Sequence, residues 1–436
     1  MAKVRINDVT VAPADGRLRA ARLELPQPNT EADGFTLQVE GWVLGREEPV
    51  ESLTVVHDGR PVVDGVAVDR LRPDAGEEVP DALGDERCGF SVSFGTLALP
   101  IAFEFELHAG TVAGRRFSIA TISGRRDPVA SDHSPKLQPL ILNALGRSGT
   151  TWMVSLLASH PAVAAFQPTA HDARVGAYWM SVFQELSQPR SYLTAFAPQD
   201  LDSMRWWLGD GGVREPNSPA LERWLAGRRP ASVAAMCQEQ MEAFYLANTT
   251  VDTSSPPAYF VEKFVPSQHA VDLLRELYPE SRELILVRDF RDVLCSIIAF
   301  NRKRGFQAFG RDRVESDADY VATSLRLSAL ALLRRWLSHR HDAHLVRYED
   351  LICAPADCLR GVLAHLGLTT DEATIETMLS TASGESSPGH RTTSDASASI
   401  GRWKHDLSPD LQALCERALG PVLNAFGYES GSPHAR

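Results

Sequence analysis

No stretch of this 436-residue chain approaches the ~18 consecutive apolar residues that a membrane-spanning helix needs. Its N-terminus carries no apolar signal core. The expected location is therefore cytoplasmic. Cysteine is scarce. Cys88, Cys237, Cys295, Cys353, Cys358 and Cys415 show no zinc or redox spacing, and Cys353 and Cys358, with four residues between them, match no metal signature. They read as reduced thiols, mostly in the core. Positive charge is outnumbered: 44 Lys and Arg against 56 Asp and Glu give a formal charge of −12. That balance argues against a bulk nucleic-acid binder. Internal repeats are absent. What is present is a 44% hydrophobic fraction and enough length for two or three domains.

The most informative segment is Leu140-Ile-Leu-Asn-Ala-Leu-Gly-Arg-Ser-Gly-Thr-Thr-Trp-Met153. Leu140 to Leu142 read as a buried strand, and Met153, Leu156 and Leu157 share one face of a helix. Gly146 and Gly149 permit a tight turn between them. Such a turn leaves N–H groups free at a helix N-terminus and binds anions. Arg147 adds a positive charge, and Ser148, Thr150 and Thr151 add hydroxyls. The nucleotide-hydrolysing loop G-x-x-x-x-G-K-[ST] is missing, because only two residues separate the glycines and no lysine follows. An ordinary Gly/Ser turn is the alternative reading.

A second strand–turn–helix lies at Glu283-Leu-Ile-Leu-Val-Arg-Asp-Phe-Arg-Asp-Val-Leu-Cys-Ser-Ile-Ile298. Arg288 ends the apolar run, and Ser296 falls about two helical turns later. A charged turn with local ion pairs among Arg288, Asp289, Arg291 and Asp292 is the plainer reading. Further on comes Gly401-Arg-Trp-Lys-His-Asp-Leu-Ser408. Before it, Ser383 to Ser399 carries no large apolar residue, and reads as a ligand-ordered lid or a mobile loop.

Taken in order, these segments resemble the sulfotransferases that use 3′-phosphoadenosine-5′-phosphosulfate (PAPS). Gly-Arg-Ser-Gly-Thr-Thr-Trp resembles their 5′-phosphosulfate loop, Arg288 with Ser296 their 3′-phosphate site, and Gly401–Ser408 their closing loop. Arg347-Tyr-Glu-Asp-Leu351 also looks like the family. The resemblance spans about residues 138 to 430. It implies a P-loop-like parallel sheet flanked by helices, with PAPS as co-substrate, PAP as product and no metal. It implies nucleotide contacts from Gly146, Arg147, Ser148, Gly149, Thr150, Thr151, Trp152, Arg288, Ser296, Arg402, Trp403 and Lys404. Glu262-Lys-Phe-Val-Pro266 resembles a Glu-Lys-Thr-Pro stretch of bacterial members, so Lys263 is a candidate at the bridging oxygen. Membrane-anchored Golgi relatives contrast with this chain, which fits a soluble bacterial type.

The reaction also needs a base for the acceptor proton. Asp172 is the first candidate, His171 the second and His269 the third. A helix N-cap is the competing role for Asp172, and plain surface or core histidines are the alternative for the other two. The resemblance implies that a carboxylate base goes with a sugar hydroxyl as acceptor, since the carbohydrate branch of the family uses one; a lipid or natural-product hydroxyl stays open. Rival functions are a nucleotide kinase on a related core and an inactive glycan-binding protein.

The first ~125 residues differ in kind. Alternation in Phe35–Val43, Leu53–His57, Cys88–Phe94 and Ile101–Leu107 predicts a small antiparallel β-sandwich. The expected division is a sandwich at 1–125, a linker at 126–137 and a transferase domain at 138–436. Trp42 reads as core or as a sugar-stacking residue. Residues of about 170 to 260 read as mainly helical, building the acceptor side in sulfotransferases.

Overall fold

The computed structural model describes residues 2–79, 87–166, 173–187, 227–248, 256–265, 269–384 and 395–429. The chain forms two compact units. One gathers Met1–His133 with Trp179–Gln238, the other Ser134–Tyr178 with Glu239–Arg436.

The first unit is a sandwich of antiparallel strands. Strands β1 (Lys3–Val11), β3 (Glu31–Asp33), β5 (Val50–His57), β6 (Arg60–Ala67), β8 (Ala102–Thr111) and β9 (Arg116–Arg126) form one sheet in the order β3-β1-β9-β8-β5-β6. Strands β2 (Leu18–Leu25), β4 (Thr36–Gly45) and β7 (Gly89–Gly95) form the other, with β4 central. The two-residue period of a strand explains the packing. In β8, Phe103, Phe105 and Leu107 point inward while Glu104 and Glu106 stay exposed. Their partners in the shared core include Leu37 and Val39 from β4 and Phe90 from β7. Trp42 is buried against Leu44, Cys88 and Ala75 of the short helix α1 (Pro73–Glu78), which is the core reading. Residues 179–187 and 227–238 also group here; Gln184 donates to the Leu97 carbonyl at 3.1 Å.

The second unit is built on five parallel strands: β10 (Gln138–Ala144), β11 (Val163–Ala164), β12 (Tyr259–Phe264), β13 (Arg282–Val287) and β14 (Ala343–Arg347). Their order is β11-β12-β10-β13-β14. Continuous apolar runs are what a sheet covered on both faces requires. In β13, Ile285 and Val287 enter one core and Leu284 and Leu286 the other. On the first face lie α6 (Phe290–Arg304), α7 (Arg326–His339) and α12 (Pro409–Ala425); on the second lie α2 (Thr150–Ala158), α9 (Pro355–Leu366) and α10 (Glu372–Gly384). Further helices among the described residues include α3 (Val175–Ser187), α4 (Arg229–Asn248), α5 (His269–Leu277), α8 (Tyr348–Cys353) and α11 (Trp403–Asp406), with a single turn at Asp317–Tyr320.

Register decides where the loops emerge. Ala144 pairs with Leu286, and Val287 pairs with Arg347. The segments after β10, β13 and β14 therefore leave the sheet side by side, at the carboxyl edge where such sheets bind ligands. At the opposite end of β13, Glu283 is wholly buried. It takes two hydrogen bonds from Arg335, at 2.7 and 2.9 Å, one from Arg275 at 2.8 Å and one from Asn143.

Candidate active site

The loop between β10 and α2 holds two left-handed residues, Arg147 (φ 69°) and Gly149 (φ 89°). Gly149 is the N-cap of α2. A Cβ there would sit 2.5 Å from the Tyr348 ring, so glycine is required by space as well as by φ. A Cβ on Gly146 would sit 2.6 Å from the Phe309 ring. The first N–H groups of α2 have no partner within the helix and lie at its positive end. Ser148 is buried; Thr150, Thr151 and Trp152 are half-buried.

Arg147 and Arg288 meet across this loop. Arg288 follows β13, is 4% exposed and donates from Nη1 to the Arg147 carbonyl at 3.0 Å. Its Nη2 donates to the Ser399 carbonyl at 2.7 Å, and its guanidinium lies 4.4 Å from the Tyr348 ring centre. The Arg147 guanidinium lies 4.6 Å from the centre of Phe300 and donates from Nε to Ser296 Oγ at 3.2 Å. Burial first, and the neighbouring charge of Arg288 second, pull the Arg147 pKa down to about 10. Arginine stays cationic at neutral pH all the same. Two neighbouring cations in a partly buried site favour an anion beside them. Arg288 Nε is buried without a hydrogen-bond partner. Guanidinium, hydroxyl and peptide N–H donors, one of them orphaned, fit the oxygens of a phosphate group.

Lys263 stands near the end of β12, paired in register with Leu142, and its Nζ reaches Thr151 Oγ1 at 3.4 Å. It thus meets the start of α2. The preceding Glu262 points elsewhere. It accepts from the Gly176 and Ala177 N–H groups at 2.7 and 3.2 Å and from the Tyr245 hydroxyl at 2.9 Å, and so holds the first turn of α3. Asp172 and His171 lie outside the described residues, as does the side chain of His269, the first residue of α5.

The C-terminal loop is tied to α6 by Asp292. Its Oδ2 accepts from Gly401 N at 2.7 Å and its Oδ1 from Trp403 N at 3.0 Å. Burial raises the Asp292 pKa to about 6, against the lowering effect of those two bonds. Arg402 pairs with Asp406 at 2.5 Å. Trp403 is buried, with the Arg291 guanidinium 3.8 Å from its ring centre and Lys404 Nζ 5.7 Å away. Arg291 also pairs with Asp289 and Glu416, so this stretch contains the local ion pair while Arg288 stays outside it.

The sheet thus brings together Gly146 to Trp152, Lys263, Arg288 and Ser296. Arg402 and the first residues of α11, Trp403 and Lys404, are attached through backbone; Arg402 turns to Asp406, while Trp403 lies between Arg291 and Lys404. Sequence reasoning missed Tyr348, Phe300, Phe309 and the clamp by Asp292. Tyr348 was within reach, since it starts the helix of Arg347-Tyr-Glu-Asp-Leu351. Among the described residues, no group of three His, Cys, Asp or Glu side chains is placed to hold a metal ion. None of the described helices is long and apolar enough to cross a membrane.

The model of the sulfotransferase family matches residues 139–372, more than half of the chain. A mouse protein described as carbohydrate sulfotransferase 3 is 30% identical over 161 residues, which is 34% of this chain and 34% of that protein. The chain therefore spans about a third of the length of the curated relative it matches. Of solved structures, the sulfotransferase domain from the curacin biosynthetic pathway aligns with a TM-score of 0.41 and 17% identity, over 68% of this chain and 99% of that one. A mouse sulfotransferase solved with PAP aligns with a TM-score of 0.37 and 10% identity, over 67% and 85%.

Proposed function

This chain belongs to the sulfotransferase family, and on that premise we propose that it transfers a sulfuryl group from PAPS to an acceptor hydroxyl on a carbohydrate. The observation that carries the reading is the meeting of Arg147, Arg288 and Ser296 at the carboxyl edge of the sheet. PAPS supplies the sulfuryl group and is left as PAP. Arg147, with Gly146, Ser148, Gly149, Thr150 and Thr151, holds the 5′-phosphate and offsets the charge that grows on it as the bond breaks. Arg288 and Ser296 hold the 3′-phosphate. Trp152 flanks the nucleotide. Lys263 joins the leaving side from β12; its contact with Thr151 at the start of α2 supports that role. The Gly401–Lys404 loop, with Arg402, Trp403 and Lys404, covers the nucleotide.

Asp172 is the proposed base that accepts the acceptor proton, with His171 and then His269 next in order. A carboxylate base and the name of the mouse relative both favour a sugar hydroxyl. The site needs no metal in this reading, because its charge compensation comes from arginine and lysine. We place the protein in the cytoplasm, where six free cysteines remain reduced. The proposed domains are residues 1–125, a linker at 126–137 and the transferase at 138–436. The test is transfer from labelled PAPS to a panel of glycan, lipid and small hydroxyl acceptors. Label on a glycan supports the reading, label on lipid alone corrects the acceptor class, and label on none refutes it.

A further inference from the structure

Phe309 is one of four non-glycine residues with a positive φ among the described residues. Its φ of 60° is unusual for a bulky side chain and costs energy unless its surroundings impose it. Those surroundings are on hand. The Tyr320 hydroxyl donates to the Phe309 carbonyl at 2.9 Å. Asn301, near the end of α6, takes the Ala308 N–H at 3.2 Å and donates to the Ala308 carbonyl at 3.3 Å and to Gln307 at 3.1 Å. Gly305 and Gly310, with φ of 73° and 82°, let the chain turn at either end.

The strained conformation puts the ring against two parts of the phosphate loop. Its atoms would lie 2.6 Å from a Cβ on Gly146, so the ring rests on that residue. It also meets Phe300 edge-on, with centroids 5.7 Å apart, and Phe300 is the ring on which the Arg147 guanidinium lies. Phe309 therefore backs both the glycine that opens the loop and the ring that orients its arginine. Arg147 is itself left-handed, so two strained residues sit on either side of one aromatic contact. We propose that Phe309 is a positioning residue, held in a left-handed conformation in order to press on Gly146 and fix Arg147 through Phe300. The proposal rests on the sulfuryl-transfer reading above. It explains a feature that packing alone does not require, because Phe309 remains 40% exposed.

The test uses the full chain and two substitutions. Phe309→Gly removes the ring and the strain together. The melting temperature should stay near that of the wild type, while kcat falls by about 10- to 100-fold, the scale on which a misplacement of ~1 Å acts. Acceptor KM should change little. Gly146→Ala alone drives a methyl into the ring and should lower both melting temperature and kcat. Adding Phe309→Gly should restore the melting temperature but not kcat, with the double variant no slower than Phe309→Gly itself. Phe309→Tyr should keep most activity. If wild-type protein binds PAP and Phe309→Gly retains kcat within about threefold, Phe309 has no positioning role. The same conclusion follows if the losses of the two single variants multiply in the double. Wild-type protein that binds no PAP would overturn the sulfuryl-transfer reading, and this role with it.

Discussion

Replacing Asp292 by Asn should separate stability from nucleotide binding, and the sign of each effect follows from its surroundings. Asp292 is 1% exposed and accepts the N–H groups of Gly401 and Trp403, one on each oxygen. Burial holds its pKa at about 6 instead of 3.8. An acid with a raised folded pKa binds more protons folded than unfolded between those values. Its contribution to stability is therefore greatest below pH 4 and declines as pH rises to about 6. At ~1.4 kcal/mol per pKa unit, the decline is about 3 kcal/mol. Asn removes that cost at neutral pH but turns an NH2 toward one of the two backbone donors. Leaving that donor unsatisfied costs about 1–3 kcal/mol. The two effects oppose each other, so stability at pH 7.5 should change by under about 2 kcal/mol. Nucleotide affinity has no such offset. The clamped loop also carries the Ser399 carbonyl that takes Arg288, so loosening one attachment should weaken PAP binding by about tenfold, the worth of roughly one hydrogen bond. Urea melts and calorimetry at pH 5 and 7.5 measure both. His160, His339, His344 and His365, held neutral by burial, cost both proteins stability on acidification. Relative to Asp292→Asn, wild-type protein should therefore gain stability and lose PAP affinity as the pH falls from 7.5 to 5. Parallel pH curves for the two proteins would refute the reasoning.

Glu283→Ala leaves the buried Arg335 and the half-buried Arg275 without their shared carboxylate, and should cost about 3–5 kcal/mol in a urea melt. A loss below ~1 kcal/mol would show that water reaches this cluster. Asp172→Asn keeps most capping ability and removes proton acceptance, so transfer should fall at least ~10²-fold with the melting temperature unchanged. Early melting with an intact rate would make Asp172 a cap and move the base to His171 or His269. A chain starting at Ser134 should still bind PAP, since every proposed nucleotide residue lies in the second unit, but should melt earlier. Gln184 and Gln238 then lose Leu97 and Ser131. A truncated chain that fails to fold would show that the β-sandwich is integral to the transferase.

Sequence alone carried the parallel core because Leu140 to Leu142 and Leu284 to Val287 are apolar without alternation, which only a doubly covered strand uses. It also carried the sandwich, where Phe103, Phe105 and Leu107 alternate with glutamates. Asp292 was harder to read. Set among Arg288, Asp289 and Arg291 it looks like part of an ion-paired turn, and its true partners are backbone groups of residues 401 and 403. Phe309 was not legible at all. Its ring reaches Gly146 from 163 positions away in the chain. Nothing local to Gln307-Ala-Phe-Gly310 announces a left-handed phenylalanine, because the conformation is imposed by Tyr320 and Asn301. The grouping of residues 179–187 with the β-strands was hidden for the same reason: periodicity gives a helix, and says nothing of which core receives it.

In the proposed site, Arg147, Arg288 and Ser296 receive a nucleotide carrying phosphates at both the 5′ and 3′ positions. Calorimetric titration of the full chain with PAP and with ATP, in EDTA, tests it most directly. PAP should bind tightly without metal, with ATP weaker by several kcal/mol, since charge-assisted bonds to the 3′-phosphate contribute about 1.5–3 kcal/mol each. Equal affinity for the two nucleotides, or PAP binding that needs Mg²⁺, would contradict it.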